Sequence, residues 1–121
     1  IIRATLESLA FSSQDVLNAM QEDSGISLLK LQVDGGAAAN DYLMQFQANL
    51  LGVSVVRPAL LESTAVGVAF MAAISMGVVT QNELLETKTV ERVFEPQQSV
   101  GWRKYRSELW SNAVGRTISK P

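Results

Sequence analysis

Cysteine and histidine are both absent from the 121 residues, so the chain can build no disulfide, no thiolate metal site, no thiol nucleophile and no imidazole base. Charge of either sign is also in short supply. Ten Lys and Arg stand against 12 Asp and Glu, a formal net charge of −2 with an isoelectric point near 5.0. A surface that neutralises a phosphate backbone or grips anionic lipid needs clustered cations, so neither nucleic acid nor a membrane surface is an expected partner. Long apolar runs are lacking too. The longest, TAVGVAFMAAISMGVV from Thr64 to Val79, falls short of the ~20 residues that span a bilayer, and its small side chains read as a buried helix.

What is present is enough for one domain with a real core, since 47% of the residues are hydrophobic and the length suits a single domain. Arg3 and Glu7 already lie in an amphipathic segment, so no signal peptide is read and the cytoplasm is the expected compartment. Ile1 falls inside a helical pattern with no initiator methionine or capping residue before it, which reads as a piece of a longer protein.

Along the chain, Leu6, Leu9, Val16 and Met20 recur at helical spacing from Ile2, with Ser13 as the polar interruption, and Asp23, Ser24 and Gly25 end this predicted helix. Leu29, Leu31 and Val33 alternate with Lys30 and Gln32, the period of a strand. Ala39, Leu43, Phe46 and Leu50 predict a second helix, terminated by Gly52. Residues 53–57 read as a strand that Pro58 ends, and Ser63 or Thr64 is placed to cap the apolar helix, which closes near Gly77. Thr80 and Glu83 have capping-box spacing for a short helix through Leu85, and residues 90–94 are extended. Trp102, Tyr105, Leu109 and Ala113 share one face of a terminal helix, with Arg103, Lys104 and Arg106 elsewhere. That stripe is expected to pack on the domain, a docking helix for a regulator or second subunit being the alternative.

Strands alternating with helices predict an α/β fold with parallel strands, a small sheet and flanking helices, and so small a sheet is expected to continue into sequence outside this chain. The junction VDGGAAAND then stands out. The carboxyl end of a strand and the N-terminus of the following helix form a common ligand crevice in such folds. Gly35 and Gly36 would let a base or phosphate lie against the peptide plane, and the Asn40 amide suits an adenine edge. The alternative is local: the glycines make a tight turn and Asn40 caps a helix beginning at Asp41. Asp41 brings negative charge that disfavours a phosphate at this helix end, so a base or ribose fits better.

The stretch VDGGAAANDYLMQFQANLLGVSVVRP resembles the carboxyl-terminal signature of glycerol kinases, within the FGGY carbohydrate kinase family. ESTAVGVAFMAAISMG, from Glu62 to Gly77, and the opening IIRATLESLAF are similar to the flanking segments of that signature. The resemblance implies that residues 1–121 are the C-terminal portion of the second domain of an actin-like, ribonuclease-H-like ATPase. It further implies transfer of the ATP γ-phosphate to glycerol, with ATP or ADP and Mg2+ as cofactors, Gly36 and Asn40 as nucleotide contacts and Gly35 as support for the turn. The glycerol site, catalytic aspartate, metal ligands and main phosphate loops would lie in the N-terminal kinase domain and in the earlier part of the second. No catalytic or metal-binding residue is therefore expected here, and Asp34, Asp41 and Glu62 are read as capping or pairing groups. Family members form oligomers, so a homo-oligomer is expected. Another polyol or sugar kinase, or a non-catalytic actin-like interaction domain, is the alternative. The sequence departs from the family pattern at Asn49, Ser63, Val66, Val68 and Phe70, and Gly67 between two β-branched residues lowers helix propensity there.

Overall fold

The computed structural model describes residues 1–60, 63–86 and 89–118. Glu62, and the side chain of Ser63 on which the sequence places a cap, lie outside the described residues. Helix α1 (Ile2–Ser24) ends at Gly25, whose φ of 68° is left-handed and whose N–H closes on the Gln21 carbonyl. Strand β1 (Lys30–Gln32) leads through a single 3-10 turn, Gly36–Ala39, into α2 (Asp41–Leu51), which Gly52 terminates. Strand β2 (Ser54–Pro58), α3 (Ser63–Ser75), α4 (Gln81–Glu86), β3 (Val90–Phe94) and α5 (Val100–Thr117) follow. The capping box forms as expected: the Thr80 N–H donates to Glu83 at 2.7 Å and the Glu83 N–H to Thr80 Oγ1 at 3.3 Å.

The sheet has the order β1-β2-β3. β1 and β2 run parallel with Leu31 opposite Val55, as a strand-helix-strand unit requires. β3 runs antiparallel to β2, with Val55 opposite Phe94. The sheet is thus mixed rather than all parallel, because a third strand arriving after two helices is free to return in either direction. The register slips between Arg57 and Pro58, where proline has no N–H to give to a ladder.

Helix α2 carries the centre of the core. Its Leu43, Met44, Phe46, Ala48 and Leu50 are buried with Ala10, Phe11, Ala38, Val55 and Phe94, and Trp102 and Trp110 pack against them. Phe11 meets Phe46 edge-on at 5.7 Å and stacks on Trp110 at 5.1 Å, while Phe46 meets Trp102 edge-on at 5.8 Å. Offset and edge contacts of this kind add to burial energy.

Three faces differ from the periodicity reading. On α1 the buried face is Glu7, Ala10, Phe11 and Gln14, whereas Leu9, Val16 and Met20 are exposed. Ala10 permits close approach to α2. The polar members of this face are satisfied: Glu7 accepts from Arg3, the Tyr42 hydroxyl and Arg106, and Gln14 donates to the Leu50 carbonyl at 3.2 Å while accepting from Ser107 at 3.0 Å. On α5 the packed face is Trp102, Arg106 and Trp110, and Tyr105 and Leu109 are exposed. The terminal helix does pack on the domain, through a different stripe. Finally, α3 forms despite Gly67 but leaves Val68, Met71 and Ile74 exposed. It is not the buried helix expected, since a run apolar on every side records hydrophobicity and not what covers it. Among the described residues no helix is long and apolar enough to cross a membrane.

The exposed Leu9 and Val16 of α1 line an apolar groove of about 640 Å³ beside the core, with Leu31, Val33, Leu43 and Met44. β1 borders it and has no strand on its outer edge among the described residues.

Burial alone would raise the Glu7 pKa, but donation from Tyr42, Arg3 and Arg106 outweighs it and holds the carboxyl below its ordinary value. A carboxylate depressed in the fold contributes stability above the unfolded pKa and loses it as pH falls through the folded one. Glu7→Gln is expected to cost about 2 kcal/mol near neutral pH and to flatten the acid limb below about pH 4, read by urea unfolding at stepped pH. The exposed apolar faces of α1 and α3 also predict concentration-dependent self-association of this 121-residue chain. Sedimentation velocity across a dilution series checks it, and a strictly monomeric particle contradicts it.

Candidate functional site

Three features converge where β1 gives way to α2. The Val33 N–H reaches the Val56 carbonyl at 3.1 Å and extends the parallel ladder beyond β1, so the sheet delivers the chain firmly to Asp34. Gly35 then adopts φ 79° and ψ 172°, a region that side chains exclude. The next residues coil once, with the Ala38 N–H on the Gly35 carbonyl at 3.0 Å and the Asn40 N–H on the Ala37 carbonyl at 3.2 Å.

Asn40 closes this turn and opens α2. Its Oδ1 accepts the Leu43 N–H at 3.0 Å and its carbonyl accepts the Met44 N–H at 3.1 Å. The capping role read from the sequence is therefore real, and it leaves the other half of the amide unspent: the Asn40 amino group has no acceptor among the described residues. The two glycines separate in their reasons. Gly35 is required by its backbone. Gly36 is not at positive φ, and a Cβ built there meets nothing within 4 Å. The fold of this chain gives no steric cause for a bare main chain at Gly36, which leaves the peptide open for contact from outside.

Asp41, the first residue of α2, is neutralised. Arg57 donates to it at 2.7 Å and Arg92 donates to its other oxygen. The hydrogen bond from Arg57 is the main reason its carboxyl is held below the ordinary aspartate value. Arg57 itself is 5% exposed. Its Nη1 also donates to the Ala38 carbonyl at 2.9 Å, its Nε and Nη2 to the Glu91 carboxylate at 3.0 and 3.3 Å, and its guanidinium lies 5.1 Å from the Phe94 ring centre. Two arginines and two carboxylates thus cancel beside the turn, which removes the objection that Asp41 raises to an anionic ligand. Sequence reasoning passed over Arg57. The available signal was one cation in the apolar strand VSVVRP, at a position whose neighbours alternate inward, since a buried guanidinium demands partners.

Gly35, Gly36 and Asn40 therefore share one turn, and Asp41 pairs as read. Asp34 lines the apolar groove beside Ala37 and Ala38 and stands outside the arginine cluster. Among the described residues no group of three His, Cys, Asp or Glu side chains could hold a metal ion.

The profile of the C-terminal domain of the FGGY family of carbohydrate kinases matches residues 1–76. The glycerol kinase of Aeromonas hydrophila is 52% identical over 118 residues, which is 97% of this chain and 24% of that protein. That of Caldanaerobacter subterraneus is 50% identical over 119 residues, 98% of this chain and 24% of that protein. This chain spans about a quarter of the length of the curated relatives it matches. The crystal structure of Plasmodium falciparum glycerol kinase with ADP superimposes over 100% of this chain and 24% of that one, with a TM-score of 0.84 at 26% identity. A xylulose kinase from Lactobacillus acidophilus covers 95% of this chain and 24% of its own at a TM-score of 0.75 and 19% identity, a likeness of fold alone.

The different demands on the junction are separable by substitution. Gly35→Ala is expected to destabilise by about 1–3 kcal/mol through backbone strain, and Asn40→Ala by about 1 kcal/mol through loss of the cap. Gly36→Ala is expected to stay within about 0.5 kcal/mol of the parent. Urea denaturation of the three variants checks this, and a Gly36→Ala cost equal to that of Gly35→Ala would show that the fold itself needs the second glycine.

Proposed function

Because this chain belongs to the FGGY family of carbohydrate kinases, we propose that it is the nucleotide-facing part of a glycerol kinase, in which the γ-phosphate of ATP passes to glycerol and gives glycerol 3-phosphate. The observation that carries this reading is the turn itself, which holds the bare peptide at Gly36 and, at its C-cap, the unspent amino group of Asn40. Gly36 lets the nucleotide approach main chain and Asn40 donates to an acceptor on its base or ribose, while Gly35 fixes the bend between sheet and helix. The residues present fit a flat, hydrogen-bonding ligand, and the cancelled charge around Asp41 tolerates its phosphates.

Glycerol is favoured over another polyol by the relatives near 50% identity; the xylulose kinase supports the fold alone. Glycerol contacts and the general base belong to other parts of the full-length protein, since a base must reach the substrate hydroxyl. Mg2+ binds nucleotide enzymes largely through phosphates and waters, so it would arrive with the nucleotide and with residues outside this chain. The cytoplasm, where ATP is abundant, is the compartment that goes with this reading.

ADP titration of the full-length protein is expected to move the Gly36 and Asn40 amide resonances most among the residues of this chain. The 121-residue chain alone is expected to bind ADP only weakly, lacking the other wall of the site. Gly36→Ala in the full-length enzyme is expected to raise the KM for ATP about tenfold with an unchanged unfolding midpoint. An ADP-saturable protein whose Gly36 and Asn40 signals stay still would overturn the site. A protein that binds no ADP at all would favour the non-catalytic interaction domain.

A further inference from the structure

We propose that Arg57 is a positioning residue for the nucleotide: from β2 it fixes the Gly36–Ala39 turn and cancels the charge of Asp41, so that the open peptide and the Asn40 amide face the ligand in one arrangement. This rests on the nucleotide reading given above.

The geometry brackets Asn40 from both sides. One guanidinium nitrogen holds the Ala38 carbonyl at 2.9 Å, two residues before it, and Asp41 at 2.7 Å, immediately after it. The opposite edge of the same planar group is held by Glu91 on β3 at 3.0 and 3.3 Å. A rigid strand thereby holds the turn through the Ala38 carbonyl. The guanidinium also lies over the Phe94 ring, 5.1 Å from its centre, which adds a cation–π contact. A fold that needed Arg57 only to satisfy Asp41 already has Arg92 for it. What Arg92 does not supply is the bond to Ala38.

Lysine keeps the charge but not a planar fork able to bridge Glu91, Ala38 and Asp41 together. Methionine keeps neither and leaves Asp41 with the half-exposed Arg92 alone. A small displacement of a ligand-binding turn has large kinetic effects. In the full-length enzyme Arg57→Met is therefore expected to raise the KM for ATP about tenfold, and Arg57→Lys about threefold, with the KM for glycerol held within about twofold. Gly36 and Asn40 amide shifts of the ligand-free variants should already depart from the parent.

Natively folded Arg57→Met and Arg57→Lys enzymes with an unaltered KM for ATP would overturn the proposal. So would equal rises in both KM values that track a lowered unfolding midpoint, the signature of general destabilisation. If Arg57→Met fails to fold, Glu91→Gln decides: its target is half exposed, and it is expected to raise the KM for ATP two- to fivefold, whereas no change would sink the idea. A parent enzyme whose Gly36 and Asn40 signals ignore ADP defeats the nucleotide reading itself, and the role of Arg57 falls with it. Intact parent signals with silent Arg57 and Glu91 variants defeat only the present proposal.

Discussion

A guanidinium with almost no exposure must be paired on every side, and the sheet, the turn and the start of α2 are arranged around that demand. Arg57 emerges from β2, the middle strand, and meets a carboxylate from β3, a carboxylate from α2 and a carbonyl from the turn that leads from β1 into α2. Desolvating a charge costs several kcal/mol unless its hydrogen-bonding capacity is used, so each partner is held to its place by the cost of leaving. The arrangement turns a buried cation, which stabilises little by itself, into a specification of geometry.

A second centre works in the same manner on the other side of α2. Glu7 gathers Arg3, Tyr42 and Arg106 from three helices, and the Trp110 indole donates to Asp15 at 2.7 Å. Polar groups thereby fix how α1 and α5 sit on α2, while Phe11, Phe46, Trp102 and Trp110 supply the apolar contact. Among the described residues no buried side-chain polar atom is left without a partner. The core therefore specifies its helix orientations through hydrogen bonds as much as through shape.

Local chemistry was legible in the sequence, and long-range pairing was not. Gly25, Gly52 and Gly77 all take the left-handed conformation, as expected of residues placed just past helical patterns. The Thr80–Glu83 box and the extended segment ending at Phe94 were equally readable. Leu29 belongs to the alternation but lies outside β1 and is exposed, because strand length follows the partner strand and not the pattern alone. The faces of α1 and α5 were misread for one physical reason. Periodicity weighs apolar residues, whereas Glu7, Gln14 and Arg106 are drawn inward by partners 35 to 99 residues away. At the junction the residue types gave the turn and the cap, but the partners of Arg57, which decide where the turn sits, come from three separate elements.

Asn40 carries one last implication. With Oδ1 committed to the Leu43 N–H, the amide cannot exchange its two ends, so whatever approaches finds only a donor there. The first turn of α2 and the readiness of that donor come into being in one folding event. The entropy of orienting the group is spent before any ligand arrives, and association begins from a rotamer already chosen.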